Sequence, residues 1–185
     1  MKLELEDYNE IIKKYSEPSR KYHSFTHIEF MLGKVKELKM MVNSAQDIAI
    51  LLHDVVYEIG SHKNEINSAE YAVNMLLKYK PHNVRQDQID NIVLCILSTI
   101  NHVPLCEDAK EIIDLDLIQF ATDYDNYKKT IREEYSNLSE KQWKIARKKF
   151  LESMLEKKQL FYTDKCKQFE DIARNNIKKE IEDLS

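Results

Sequence analysis

A chain of 185 residues is long enough for one domain with a substantial core. Its composition, 43% hydrophobic and 32% charged, excludes a disordered tract or a membrane-embedded protein, and a net charge of −4 argues against the basic face of a nucleic-acid binder. Two glycines and three prolines leave few breaks, which favours long helices over strands and turns.

Leu5 to Tyr15 reads as a first helix, closed at Ser16-Glu17-Pro18 because proline disfavours helix at the residue before it. Ser24 can cap a second, running to about Lys39 with Phe25, Ile28, Met31, Leu32 and Val35 along one face. Ser44-Ala45-Gln46-Asp47 has the form of a capping box, with Asp in place of Glu, and opens a third. That helix is apolar nearly all round from Ile48 to Val56, which predicts a place at the centre of a bundle. Gly60 to Lys63 reads as a loop. A fourth helix is predicted from about Asn64 to Tyr79, ended by Pro81, and a fifth from Gln86 to Thr99. Glu107 to Phe120 reads as a short sixth carrying Asp114 and Asp116, and Thr122 to Tyr135 as a seventh. Ser139-Glu140-Lys141-Gln142 is a capping box for an eighth, in which Trp143, Ala146, Phe150 and Met154 keep helical spacing. A last amphipathic helix covers Cys166 to about Asp183. Almost no segment alternates with period two, so the expected class is an all-α, single-domain bundle over residues 1–185.

Cys95, Cys106 and Cys166 are scattered and odd in number, which reads as reduced structural thiols of the cytoplasm. The acidic start, Met1 to Glu6, lacks the apolar stretch of a signal peptide. The apolar runs Ile48–Leu52 and Ile92–Leu97 are too short to span a bilayer. Arg147-Lys148-Lys149, interleaved with Glu152 and Glu156, reads as a solvated helix face, and Trp143, Phe150, Phe161 and Tyr162 as core or dimer contacts. His62 and His82 sit in polar loops, and Arg174 reads as a structural partner of an acidic side chain.

The chemistry concentrates on His53-Asp54 at the end of the third helix, with His27 upstream and Asp116 downstream. Two imidazoles and two carboxylates suit one divalent metal, and a carboxylate at the end of a core helix needs a partner. Asp114 competes with Asp116 for the last place; two residues apart, they point about 200° apart on a helix. His23, four residues before His27, shares its face if the helix starts early, as a ligand, phosphate contact or supporting donor. Arg20 is a candidate phosphate clamp by its planar fork, and His102 a substrate or supporting contact.

The ordered set His27, His53-Asp54, Asp116 resembles the HD superfamily of metal-dependent phosphohydrolases. Tyr15 to His27, His53 to Tyr57, Asn64 to Ala69, Ile113 to Leu117, Ile131 to Tyr135 and Ala173 to Asn176 resemble a small bacterial branch known as predicted HD phosphohydrolases. The resemblance runs from about Tyr8 to Glu180 and implies a helical fold holding a metal through His27, His53, Asp54 and Asp116. Some HD nucleotide hydrolases carry a catalytic Glu three residues after the Asp; here Tyr57 stands there, and Glu65 is the candidate substitute for orienting or deprotonating water. The expectation is hydrolysis of a small phosphate ester or anhydride, such as a nucleotide, with catalysis by Asp54, Glu65 and His23, phosphate contacts from Arg20, His23 and His102, and one ion of Mn, Fe, Ni, Co, Zn or Mg. A second ion on His23 or His102, extending the chemistry to phosphodiesters or oxygen-dependent cleavage, and a non-catalytic nucleotide or metal sensor are the alternatives; a homodimer is a candidate assembly, and neither membrane nor nucleic acid is expected as a partner.

Overall fold

The computed structural model describes residues 3–79 and 84–184, and among them the chain forms helices and turns without a strand. In chain order they are α1 Leu5–Tyr15, α2 Phe25–Glu37, α3 Ser44–Leu52, α4 Asn64–Leu77, α5 Gln86–Ser98, α6 Ala109–Leu117, α7 Gln119–Thr122, α8 Tyr124–Glu134, α9 Glu140–Leu155 and α10 Glu170–Asp183. Pro81, expected to end α4, and His82 lie outside the described residues, as do Met1 and Lys2. No helix among the described residues is long and apolar enough to cross a membrane.

The all-round apolar segment takes the centre, as its pattern predicts. Ile48, Ala49, Ile50, Leu51 and Leu52 are all buried, and α3 packs against α2, α4, α5 and α6. A helix enclosed on every side has no polar face to show, which is why the amphipathic stripe vanishes there. Around it lie Ile28 and Met31 of α2, Ile89, Ile92 and Ile96 of α5, and Ile112 and Ile113 of α6. Each such side chain, fully buried, contributes about 1.5–3 kcal/mol. A second group, α7 to α10, closes one side; α10 packs against α7 and α9.

Several boundaries differ from expectation for local reasons. The box opening α3 starts one residue earlier: Asn43 Oδ1 accepts from the N–H groups of Ala45 (2.8 Å) and Gln46 (3.1 Å), and Gln46 Oε1 accepts from Asn43 N–H (2.7 Å). Asn caps as well as Ser, and Gln46 closes the box that Asp47 was expected to close. At α9 the expected box forms, with Ser139 Oγ accepting from Gln142 N–H. The predicted sixth helix breaks at Ile118, whose carbonyl turns to accept from Ala121 and Thr122. The last begins with a 3₁₀ turn, Lys167–Phe169, before α10. Glu170 there accepts from the N–H groups of Leu160 and Phe161 and pairs with Arg174, the structural role expected of that arginine.

The end of α2 is a Schellman motif: Met40 N–H donates to Val35 carbonyl (2.9 Å), Lys39 N–H to Lys36 carbonyl (3.2 Å), and Lys39 sits at φ 50. Gly is the usual occupant of that left-handed position. Arg147, by contrast, departs from the solvated face expected of it. It is buried, with Nε and Nη2 on the Glu180 carboxylate (3.0 and 3.1 Å) and Nη1 on Tyr127 hydroxyl (2.8 Å), tying α9 to α10 and α8.

Candidate metal centre

α3 stops at Leu52 rather than Val56 because side chains from elsewhere take its last carbonyls. Tyr15 hydroxyl donates to Leu51 carbonyl (3.1 Å) and accepts from Asp54 N–H (3.3 Å). Arg20 donates to the carbonyls of Asp54 (2.6 Å) and Val55 (3.0 Å), while Ser68 hydroxyl accepts from Val56 N–H and donates to its carbonyl. The turn after Leu52 tightens, with Val55 N–H donating to the Leu52 carbonyl (3.3 Å), and those side chains hold it in that form. Asp54 therefore lies beyond the helix. The divergence expected of adjacent helical side chains is relieved, and Asp54 Oδ2 comes within 3.1 Å of His53 Nε2.

His53 Nδ1 lies 3.0 Å from Ile50 carbonyl, so that nitrogen carries the hydrogen and Nε2 presents its lone pair. His27, in the first turn of α2, is buried with neither ring nitrogen in a hydrogen bond. His27, His53 and Asp54 each place one ligand atom within 4.8 Å of the others'. Asp116 of α6 approaches from the histidine side, its Oδ1 3.2 Å from His27 Nε2 and 4.0 Å from His53 Nε2. Asp114, the competitor, faces away and accepts from Tyr162 N–H (2.7 Å), Thr163 N–H (2.8 Å) and Thr163 hydroxyl (2.6 Å). The half-turn between the two aspartates separates a scaffold residue from a site residue.

The ring nitrogens of His27 and His53 thus converge with the Asp54 carboxylate, and Asp116 sits beside them with His102 Nε2 at 3.2 Å. Buried acceptors in such a group need a cation. Without a metal, a proton on His53 serves: burial disfavours the imidazolium, but the charge and hydrogen bond of Asp54, with Asp116 and the Ile50 carbonyl, outweigh it and lift His53 to about 9. Burial opposes the Asp54 charge too, yet His53 holds that carboxyl below its usual range. Asp116 is held low, against burial, by His102 and His27. His27, His53 and Asp54 could together hold one divalent ion, and their nitrogen and oxygen donors suit a first-row transition metal or Mg.

The carboxylates open onto a cavity of about 470 Å³, whose wall includes Asp54, Asp116, His23, Glu65 and His102. His27 and His53 lie beneath it, almost inaccessible. Glu65, in the first turn of α4, is half-buried on that wall. His102 Nε2 lies 3.2 Å from Asp116 Oδ2. The left-handed backbone there (φ 48), unusual for a non-glycine residue, fixes this contact at a cost of about 1–2 kcal/mol.

Arg20 is not brought to the cavity wall. It is buried with its fork on the carbonyls of Asp54 and Val55, Nε on Glu17 (3.2 Å), and its guanidinium over the rings of Tyr15 and Tyr57. The expected phosphate clamp is instead a clamp on the turn that presents Asp54.

His23 does line the cavity, and its main partner was not among the candidate residues. Glu134, at the end of α8, accepts with Oε2 from the N–H groups of Lys21 (3.0 Å), Tyr22 (2.9 Å) and His23 (2.9 Å), and its Oε1 lies 2.5 Å from His23 Nδ1. Burial opposes ionisation of Glu134, but His23 and those donors hold it at about 2. Burial likewise opposes charge on His23, and Glu134 reverses that and raises it. The His23 ring stacks on Tyr57 at 4.1 Å between centroids, and Tyr57 hydroxyl pairs with Tyr135 hydroxyl (2.9 Å). Only Glu134's place within Ile131-Arg132-Glu133-Glu134-Tyr135 hinted at this role. The cavity is also walled by Tyr127, Trp143, Arg147 and Phe150, so Trp143 and Phe150 serve the pocket as well as the core. Comparison with protein-family models, with curated proteins and with solved structures found no match.

Proposed function

We propose that this chain is a metal-dependent phosphohydrolase of HD type acting on a small phosphate ester or anhydride. The observation that carries the proposal is the cluster of His27, His53 and Asp54, ligand atoms within 4.8 Å, with ring nitrogens left unpaired beside a cavity. His27, His53, Asp54 and Asp116 would hold one divalent ion, which would supply a lowered water pKa and a polarised phosphoryl group. Glu65, on the same wall, takes a proton from the attacking water, and His23 faces the phosphoryl oxygens. His102 keeps Asp116 in place. Arg20 acts at a distance, by fixing the turn at Asp54.

The cavity favours a small molecule over a polymer, since about 470 Å³ falls in the range of ordinary ligand pockets. The aromatic side chains of Tyr127, Trp143 and Phe150 on its wall suit a flat group such as a nucleobase. The test is a screen of phosphate compounds with purified protein under Mn, Co, Ni and Mg, with His53→Ala and Asp54→Ala alongside. Turnover lost in both variants supports the reading. Absence of turnover with every ion refutes it.

A further inference from the structure

We infer that His23 is the general acid of the reaction, donating a proton from Nε2 to the leaving oxygen, and that Glu134 is the residue that positions it. The inference rests on the phosphohydrolase reading above and adds to it the group that completes P–O cleavage. A histidine already committed to Glu134 through Nδ1 has one ring nitrogen left for a ligand, Nε2, and the side chain lines the cavity that Asp54 and Asp116 also line. The His23 side chain is 18% exposed while that of Glu134 is fully buried, so the carboxylate is the fixed base of the pair and the imidazole its accessible end.

The anchoring is unusually complete. Three consecutive backbone N–H groups, Lys21 to His23, bind one oxygen of Glu134, and the other oxygen takes the ring. The main chain and the side chain of His23 are therefore set by the same carboxylate. Tyr57 stacks on the His23 ring, holding its plane, and is itself tied to Tyr135. A surface histidine needs none of this, and with Nδ1 turned to Glu134 only Nε2 is left to act. The charged groups around His23 are Glu134 of α8, Asp54 after α3 and Asp116 of α6, all acidic, together with Arg20, whose Nη1 lies 3.4 Å from the His23 carbonyl. Tyr22, Tyr57 and Tyr135 complete the surroundings. Glu134, with Oε1 2.5 Å from Nδ1, favours imidazolium, the form that donates, whereas Asp54 and Asp116 would be taken up by the ion.

Water oxygen bonds to phosphorus as its proton passes to Glu65. The bond from phosphorus to the leaving oxygen breaks, its electron pair stays on that oxygen, and the proton of His23 Nε2 joins it. His23 is left neutral and is recharged from solvent.

The first test is ring ¹⁵N NMR of the full-length, metal-free protein at pH 7, with His23→Gln identifying the signal. Both His23 nitrogens are expected to be protonated, and Glu134→Gln is expected to return the ring to the neutral form. A neutral His23 ring in the parent protein, or one unaltered in Glu134→Gln, overturns the inference without touching the metal site. The second test compares 4-nitrophenyl phosphate with propyl phosphate under Mn, because a good leaving group needs no acid. His23→Gln is expected to lose about 100-fold on the alkyl ester, and at least about tenfold less on the nitrophenyl ester. Equal losses on both esters overturn the general acid while leaving the hydrolase reading intact; absence of turnover on every phosphate tested, with the ring signature present, overturns both. Should Glu134→Gln fail to fold, the parent spectrum and the His23→Gln ratio decide.

Discussion

Replacing Arg20 separates its two readings, phosphate clamp and backbone clamp, because they predict different observables. Arg20→Met keeps the buried stem and removes the fork. The carbonyls of Asp54 and Val55 then lose donors at 2.6 and 3.0 Å in a place where water does not readily replace them. A hydrogen bond to a charged donor contributes about 1.5–3 kcal/mol, so the loss should be about 4 kcal/mol. The pairing with Glu17, whose side chain is 48% exposed, adds little. For a chain of this length each kcal/mol moves Tm by about 2–4 °C, so a fall of about 10 °C is expected by differential scanning calorimetry. Arg20→Lys should recover part of this, since one ammonium cannot serve both carbonyls in the plane of a fork. Metal affinity should fall with Tm, because the turn that is loosened is the one presenting Asp54. A Tm within about 2 °C of the parent, with only a raised KM for phosphate substrates, would refute the backbone clamp.

The His23–Glu134 pair gives a pH signature with two limbs. Glu134, held at about 2 against about 4.3 in an unfolded chain, contributes about 3 kcal/mol that is present above pH ~4.3 and lost as pH falls toward 2. His23 is raised, so its contribution is present below pH ~6.5 and lost as pH rises through the folded value. Stability from the pair is therefore greatest at roughly pH 4.5–6.5, and Glu134→Gln should flatten the acid limb of Tm against pH. Lys39→Gly, which removes the penalty of a left-handed lysine at the exposed end of α2, should raise stability by about 1 kcal/mol in chemical denaturation; a loss would contradict the Schellman geometry. Chelation should abolish turnover without unfolding the chain, because α3 and its neighbours form a core independent of any ion. Excess metal, at about 100 times its Kd, should add about 2.7 kcal/mol, and unfolding on chelation would mark the ion as structural instead.

The helical class was legible because periodicity and the shortage of glycine and proline allow little else, and the central place of α3 followed from five consecutive apolar residues. The metal-ligand candidates were legible as residue types, His27, His53, Asp54 and Asp116; Asp116 was preferred to Asp114 from its motif position and flanking leucines, and Asp114 is engaged instead with Tyr162 and Thr163. What could not be read were contacts made at long range by residues with two plausible uses. Arg20 looks the same in sequence whether its fork meets a phosphate or two carbonyls 34 and 35 residues away. Glu134 carries no pattern of its own, since its partners, Lys21 to His23, lie more than 110 residues earlier. Arg147 hid in a basic run, and only the fold brings Glu180 and Tyr127 to its side. Helix ends fail for a similar reason: α3 stops at Leu52 because of Tyr15 and Arg20, not because of any breaker in its own sequence.

The most direct test of the central claim is elemental analysis of the purified chain, with calorimetric titration of Mn into the metal-free protein and into His27→Ala, His53→Ala and Asp54→Ala. About one ion per chain is expected in the parent, with loss of binding in each variant while the helical spectrum persists. A parent chain that takes up no divalent ion, or variants that bind it as tightly as the parent, would contradict that claim.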